Sequence, residues 1–483
     1  MTGDAAPRSG APPFLRIPPF PRSRFAPLAR SGSIAVDPHR LADLLRRERV
    51  GGRFWGQDPV LPAERRVVLA PDDAVQLRSM LDREDRAKVV VLASAGLAID
   101  AGIPRIAPDC DLWRLVEGAE RVRAGANHEL ALVAGLSGTA LEVDGLGPFR
   151  GAVADPAEVA ASVIGAWRYV CPFNDEEISA DQAIAGLGQL RRLLDGNRDI
   201  DAVLGVARWK RATLDALLWD GAAPVPHVRK LPRGGDRSRR VLAWKSRASR
   251  NELAWAEAHG CNLGELEDGF IRSAGLGANC VPPLSAIVDW DGIYFDPARS
   301  SGLEQILKCV DFDQATLDRA AALRARVVRS AISKYEQGGS PMDRPADSRR
   351  RVLVTGQVED DRSIISGGGA VTNRGLLERA RTLEPDAWII YKPHPDVEAG
   401  HRKGHLADRE VLAFADAIER TAPIASLLDT VDGVHVITSL TGFEALMRGK
   451  AVTTHGIPFY AGWGLTRDLA AVPARRGRRR TLD

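Results

Sequence analysis

RVLAWKSRASRNELAWAEAHGCNLGELEDG, residues 240–269, decides the fold. Arg240 to Trp244 is a short apolar run of strand character, and Asn251 to His259 carries apolar residues at helical spacing. Leu263 to Leu266 is a second strand that runs straight into Glu267-Asp268-Gly269. Strand, helix and strand in so short a span make a parallel βαβ unit. Open sheets of that kind take their ligands beyond the carboxyl ends of the strands, so the acidic pair stands where chemistry is done.

The same alternation continues on both sides. Upstream, Val203 to Val206 reads as a strand, Trp209 to Leu218 as a helix and Val225 to Val228 as a strand. Downstream, Asp313 to Tyr335 is a long helical pattern, and Gly338 to Arg349 reads as a polar linker at a domain boundary. Val352-Leu353-Val354 opens a second half, followed by a helix over Leu376 to Leu383 and a strand over Ala387 to Tyr391 that reaches Lys392-Pro393-His394-Pro395. Gly433 to Ile437, Thr441 to Met447 and Ala451 to Thr454 add a further strand, helix and strand. The fold class expected is α/β, with two Rossmann-like domains at 199–338 and 350–470.

A faint internal repeat lies before them. Leu130-Ala131-Leu132-Val133-Ala134-Gly135, then Asp144-Gly145 and Pro148-Phe149, echoes Glu444-Ala445-Leu446-Met447-Arg448-Gly449, then His455-Gly456 and Pro458-Phe459. This predicts a degenerate Rossmann-like half-module over 35–160, joined by linker helices over 161–198. It has no counterpart of the Lys-Pro-His-Pro segment, so no chemistry is expected there. Residues 1–34 mix Pro, Arg, Ser, Gly and Ala without period and read as a disordered basic arm. Residues 471–483 carry Arg475, Arg476, Arg478, Arg479 and Arg480 and read as a basic tail, either solvated or touching anionic lipid. A longer closing helix is expected after Thr481-Leu482-Asp483.

Composition narrows the classes. The chain has 483 residues, and its 66 Lys plus Arg balance 63 Asp plus Glu, so it is no polyanion-wrapping nucleic-acid binder. No run approaches the ~18 apolar residues of a membrane span. Five cysteines without a CxxC pair argue against a zinc ribbon and a complete disulfide framework, and point to the cytoplasm.

Four segments could carry chemistry. Glu267-Asp268-Gly269, with Arg272 and Ser273, can set a carboxylate against a sugar hydroxyl as base or orienting acceptor, although an exposed Asp-Gly turn has the same look. Gly356-Gln357-Val358-Glu359-Asp360-Asp361 leaves another strand with three successive acids, one of which could serve as a nucleophile. Acids at a helix N-terminus are the competing account. His394, stiffened by a proline on each side and next to Lys392, suits a phosphate leaving group, and a structural turn histidine is its alternative. Ser439 opens a helix where free N–H groups bind anions, while Thr441 and Glu444 have capping-box spacing and Glu444 could also reach a ribose. Asp289-Trp290-Asp291-Gly292 has a metal-binding DxD form but reads as a hairpin turn. Gly367-Gly368-Gly369 lacks the residues of a P-loop and reads as a mobile loop.

Taken in order, these segments, together with Pro282-Pro283-Leu284-Ser285, Gly292 to Asp296, Thr438 to Gly449 and Gly456 to Thr466, resemble the capsule polysaccharide biosynthesis family of KpsC/LipB type, whose members are β-Kdo glycosyltransferases. The resemblance implies a GT-B-like pair of domains, the first for acceptor and the second for CMP-sugar, with CMP-β-Kdo as donor and no cofactor or metal. It implies a retaining transfer that builds an oligo-Kdo linker on a phosphatidylglycerol-type lipid or a Kdo-terminated acceptor, with peripheral contact at the cytoplasmic face of the inner membrane and with capsule assembly proteins. Asp361 corresponds to the nucleophile, with Glu267 and Asp268 as acid/base or acceptor-orienting groups. His394, Lys392, Ser439, Thr441, Glu444, Gly356 and Gln357 would hold the donor, and Arg272, Ser273 and Asp360 the substrate. One intact centre is expected where two-module relatives have two. The competing readings are a non-catalytic assembly or export component that binds the glycolipid, and a transferase for another CMP-nonulosonate.

Overall fold

A computed structural model of the chain describes residues 12–22, 27–233, 239–271, 280–333 and 349–483. The fold is α/β and forms two compact units, one of residues 1–200 and 215–225, the other of residues 201–214 and 226–483.

The first unit is built on a five-stranded sheet in the order Arg105–Ile106, Val89–Leu92, Val67–Ala70, Arg121–Gly125, Ala140–Asp144. Every pairing in it is parallel. Val67–Ala70 and Val89–Leu92 are apolar at every position because both faces of the sheet are covered, and all eight of their residues are buried. Leu77, Met80 and Leu81 cover one face. The helix Leu130–Ser137, with six buried side chains, joins the larger core on the other. The half-module read from the sequence is thus a complete parallel sheet.

Two sequence expectations for this unit are corrected. Residues 12–22 and 27–34 are not a disordered arm: Phe14 and Leu15 are fully buried, Arg16 makes a two-pronged ion pair with Glu129 at 2.8 Å, and Ala29–Ser31 pairs antiparallel with Trp167–Val170. Residues 1–11 and 23–26 of that expectation lie outside the described residues. Residues 161–198 are not linker helices either. They include the strands Trp167–Val170 and Glu177–Ile178 and the helix Ala180–Asn197, and Ile164, Tyr169, Ile184 and Leu194 sit in one core with Leu41 and Val68. Ser179 and Gln182 close a capping box at the start of that helix.

The second unit carries two further sheets. One runs His227–Val228, Ala202–Leu204, Arg240–Ala243, Asn262–Asp268, Ala286–Asp289, with only the last strand antiparallel. The other runs Ala417–Ile418, Trp388–Lys392, Arg351–Thr355, Gly433–Val436, Ala451–Thr454, Arg467–Asp468, parallel throughout. Together they are the Rossmann-like pair of a GT-B-like fold. The long helical pattern at 313–335 is a helix over Gln314–Arg329, and residues 338–348 of the expected linker lie outside the described residues. Asp289 of the DxD sequence is no hairpin residue. Its buried carboxylate accepts from the backbone N–H groups of Asp291, Gly292 and Gly302, and so ties the strand end to the start of the helix Gly302–Cys309.

The basic tail is also corrected. Arg475 and Arg476 both pair with the buried Glu304, and Arg476 is itself buried. Arg480 donates to the carbonyls of Leu307 and Val310 at 2.6 and 2.7 Å, and Arg478 pairs with Asp311. Carbonyls at a helix C-terminus have no partners within the helix and carry the negative end of its dipole. The tail arginines satisfy those carbonyls and strap the end of the chain across the helix Gly302–Cys309. Among the described residues no helix is long and apolar enough to cross a membrane.

Candidate active site

The site begins at the end of the strand Asn262–Asp268. Side chains alternate along a strand, so Leu266 points into the core while Glu265 and Glu267 share the opposite face. Arg362 grips both acids, donating to Glu267 at 2.9 Å and to Glu265 at 3.0 Å, and Lys245 adds a bond to Glu265 at 2.6 Å. Asp268 faces the other way and accepts from Lys210 at 2.8 Å. The Lys210 ammonium is buried and sits 3.4 Å from the centre of the Trp244 ring, which holds its charge in place.

These contacts separate the two acids. Burial pushes the Glu267 pKa up from 4.5 to about 7, outweighing the pull of Arg362, with the neighbouring Asp268 adding to the rise. A carboxyl tuned to neutrality can give or take a proton at working pH. Asp268 is fixed by its lysine instead, which suits it to orient a partner.

Opposite this strand, Arg351–Thr355 ends at Gly356. A Cβ there would lie 2.4 Å from the Tyr391 hydroxyl, so the position has a packing reason to be glycine. Gln357 is buried, and its side-chain oxygen accepts from the N–H groups of Ile437 and Thr438 while its amide donates to Thr438 at 3.1 Å. Gln357 therefore pins two strand ends together while lining the cavity described below. Asp360 pairs with Arg402 at 3.1 Å. Asp361 caps the short helix Arg362–Gly367: one carboxylate oxygen accepts from the Ser363 N–H at 3.0 Å and hydroxyl at 2.7 Å. Of the two sequence accounts of the acid run, the helix cap is the one seen at this residue, and it uses one carboxylate oxygen. Gly367 and Gly368 are buried at the end of that helix, and the Gly367 carbonyl accepts from Ile457 at 2.8 Å, so the first two of the three glycines are packed while Gly369 is exposed.

Lys392 and His394 follow the strand Trp388–Lys392. Lys392 is buried and its pKa is lowered by desolvation, with Glu419 opposing the shift. Such a cation gains from an arriving anion. His394 caps the turn Pro395–Glu398 through Nδ1, which accepts from the Asp396 N–H at 3.2 Å. That bond assigns the proton of the neutral ring to Nε2. Ser439, not Thr441, is the cap of the helix Leu440–Met447, accepting from the Thr441 N–H at 3.2 Å. The capping box expected between Thr441 and Glu444 does not form, and Glu444 is buried beneath the helix start.

A cavity of about 650 Å³ is lined by Glu267, Asp268, Gly356, Gln357, Asp360, Asp361, Lys392, His394, Ser439, Thr441 and Glu444. Arg272 and Ser273 lie outside the described residues. Sequence reasoning missed Lys210 and Arg362, although Arg362 directly follows the acid run and Lys210 stands in a basic Arg-Trp-Lys-Arg segment. It also missed an aromatic cluster beside the cavity, where Phe270 stacks on Phe459 at 4.7 Å and touches Tyr294 and Phe443.

Residues 239–482 match the family described as capsule polysaccharide biosynthesis protein. The chain is 40% identical over 328 residues to the capsule polysaccharide modification protein LipA of Neisseria meningitidis serogroup B, covering 67% of this chain and 46% of that one. It is 48% identical over 226 residues to the lipopolysaccharide-processing protein LpsZ of Rhizobium meliloti, covering 46% of this chain and 51% of that one. The chain thus spans about half the length of the curated relatives it matches. Among solved structures, Thermosulfurimonas dismutans KpsC, a β-Kdo 2,4 transferase, is similar with 34% identity and a TM-score of 0.50, over 59% of this chain and 88% of that one.

Proposed function

From a chain that belongs to the capsule polysaccharide biosynthesis protein family, we infer a retaining β-Kdo glycosyltransferase that uses CMP-β-Kdo to extend the Kdo linker on a phosphatidylglycerol-type glycolipid or a Kdo-terminated acceptor, at the cytoplasmic face of the inner membrane. The observation that carries the reading is one cavity with Glu267 and Asp268 on one wall and Asp361, Lys392, His394 and Ser439 on the others. A binding module has no use for a tuned carboxyl facing a second carboxylate and an anion site.

In this reading the Asp361 oxygen that does not cap the helix attacks the anomeric carbon of Kdo. The bond from that carbon to the phosphate oxygen breaks and CMP leaves with the electron pair, met by Lys392, the Nε2–H of His394 and the helix start at Ser439. An acceptor hydroxyl then attacks the same carbon from the vacated side. Its proton passes to Glu267, and Asp361 is released as carboxylate. Two inversions give retention. No metal ion has a part in these steps.

Intact-protein mass after mixing CMP-Kdo with wild type and Asp361→Ala, with CMP release followed against a Kdo-terminated acceptor, tests the reading. A Kdo-sized adduct and CMP release in wild type, both missing in the variant, are expected. No CMP release with any acceptor would sink the transferase, and release that is faster with another CMP-nonulosonate in competition would change the donor.

A further inference from the structure

We propose that a second, basic cavity in the sheet of the acceptor domain is a binding site for a phosphate ester. The cavity measures about 660 Å³ and opens at the carboxyl ends of Ala202–Leu204 and His227–Val228. Its wall carries Arg208, Arg211, Arg229 and Arg247 together with His227 and Ser249, and none of its lining residues is acidic. Among the described residues, none of the four guanidinium groups has an ion-pair partner, and Arg211 Nε is buried without a hydrogen bond.

Four like charges around one concavity repel one another, and a multivalent anion relieves the repulsion while accepting forked hydrogen bonds. The backbone adds to the same end. Ser249 lines the cavity at the start of the nine-residue helix Arg250–Ala258 and its hydroxyl makes no cap bond, which leaves the hydroxyl and the helix's first N–H groups to an anion bound there.

The cavity shares no lining residue with the one that holds Glu267, yet the two are adjacent along the chain. Ser246 lines the active cavity and Arg247 this one, while Lys210 holds Asp268 between Arg208 and Arg211. The phosphate site is read from its own residues. That its ligand is the phosphate of the acceptor, with the sugar end presented to Glu267 and Asp268, rests on the transferase reading.

The test uses the full chain without donor sugar, so that it can fail while CMP release persists, or succeed if CMP release never occurs. Glycerol phosphate and inorganic phosphate are titrated calorimetrically, and flotation is measured with vesicles of phosphatidylglycerol in phosphatidylcholine and of phosphatidylcholine alone. Wild type is compared with Arg211→Gln/Arg247→Gln and with Arg379→Gln/Arg409→Gln, which removes the same charge elsewhere. We expect saturable binding that weakens about tenfold or more in the cavity variant and little in the other. Loss of glycerol phosphate binding alone assigns a soluble phosphate ester, and loss of flotation assigns a lipid headgroup. No saturable binding of any probe, or equal loss in both variants, overturns the proposal.

Discussion

Two sheets in this molecule are wired alike and finished differently. The sheet of the first unit and the last sheet of the second unit both place their first strand in the middle, the next two strands on one side and the later ones on the other. Val67–Ala70 corresponds to Arg351–Thr355, Val89–Leu92 to Trp388–Lys392, Arg121–Gly125 to Gly433–Val436, and Ala140–Asp144 to Ala451–Thr454. The internal echo read from the sequence falls on the helices Leu130–Ser137 and Leu440–Met447 and on the segments at the ends of the strands that follow them. At the carboxyl edge the two part company. Lys392-Pro393-His394 has Leu92-Ala93-Ser94 in its place. Ser439, the cap of its helix, has Glu129 at the start of the matching helix Leu130–Ser137. A half-buried acid held by Arg16 repels a phosphate where a serine and free N–H groups would welcome one. The lesson is that one wiring can carry different edges: the core needs apolar strands, while a site needs a few edge residues.

The sharpest break of the comparison is at the two aspartates that cap the first helix of each sheet. Asp361→Asn keeps a good cap and removes the carboxylate proposed as nucleophile, so transfer should fall on the order of 10⁴-fold with the melting temperature unchanged. Asp361→Ala should lose activity equally and, in addition, about 1 kcal/mol of stability. An Asn variant with more than a tenth of wild-type CMP release would mean that Asp361 is a cap and nothing else.

Glu267→Gln should come next. As the base it should cost about 10²–10³-fold in transfer, and the rise of rate with pH through neutrality should vanish with it. Stability gives an independent reading. The folded protein holds a proton on Glu267 between its ordinary 4.5 and about 7 that the unfolded chain does not. The contribution of that group is fully present below the unfolded value and is lost as pH rises through the folded one. Denaturant unfolding at pH 5 and pH 8 should therefore show wild type losing at most about 3 kcal/mol more than Glu267→Gln across the interval. Parallel losses in the two proteins would place the titration elsewhere.

How much of this could be read in the sequence follows from where the information sits. The parallel strands and their helices were legible because buried strands are apolar throughout and their neighbours keep helical spacing. The acids and His394 were legible because they follow such strands directly. What stayed hidden depends on partners distant in sequence. Arg362 meets Glu267 across 95 positions, and Lys210 meets Asp268 across 58. Phe14, Leu15 and Phe20 are scattered among prolines with no period, and only the core they enter makes them ordered. The tail arginines have the look of a solvated end until the carbonyls of Gly302–Cys309 are seen to lack donors. Gln357 follows the same pattern, since its side chain reaches Ile437 and Thr438, 80 and 81 positions away.

Arg16→Met probes the other side of the comparison. Glu129 is half-buried, and that burial raises its pKa against the pull of Arg16. Without its partner the acid must take up a proton or stay unpaired, so the variant should be destabilised by about 2 kcal/mol, below the figure for a wholly buried pair. Transfer by the surviving fold should stay at the wild-type level. A drop in turnover larger than the loss of folded protein would give the first unit a part in the reaction.

The smallest effect is the most discriminating. Asp73 holds in the first sheet the place that Asp361 holds in the last: each caps the helix after the first strand, and the Asp73 carboxylate accepts from the N–H groups of Val75 and Gln76 at 2.8 Å. Asparagine caps a helix about as well as aspartate. Asp73→Asn should thus change stability by less than about 0.5 kcal/mol and turnover not at all. Since the substitution is the same and each aspartate caps the helix after the first strand of its sheet, the distance between this null and the collapse expected for Asp361→Asn measures what the edge residues of the last sheet add to a cap. If both variants were silent, the two sheets would be equivalent and the chemistry would have to lie outside either edge.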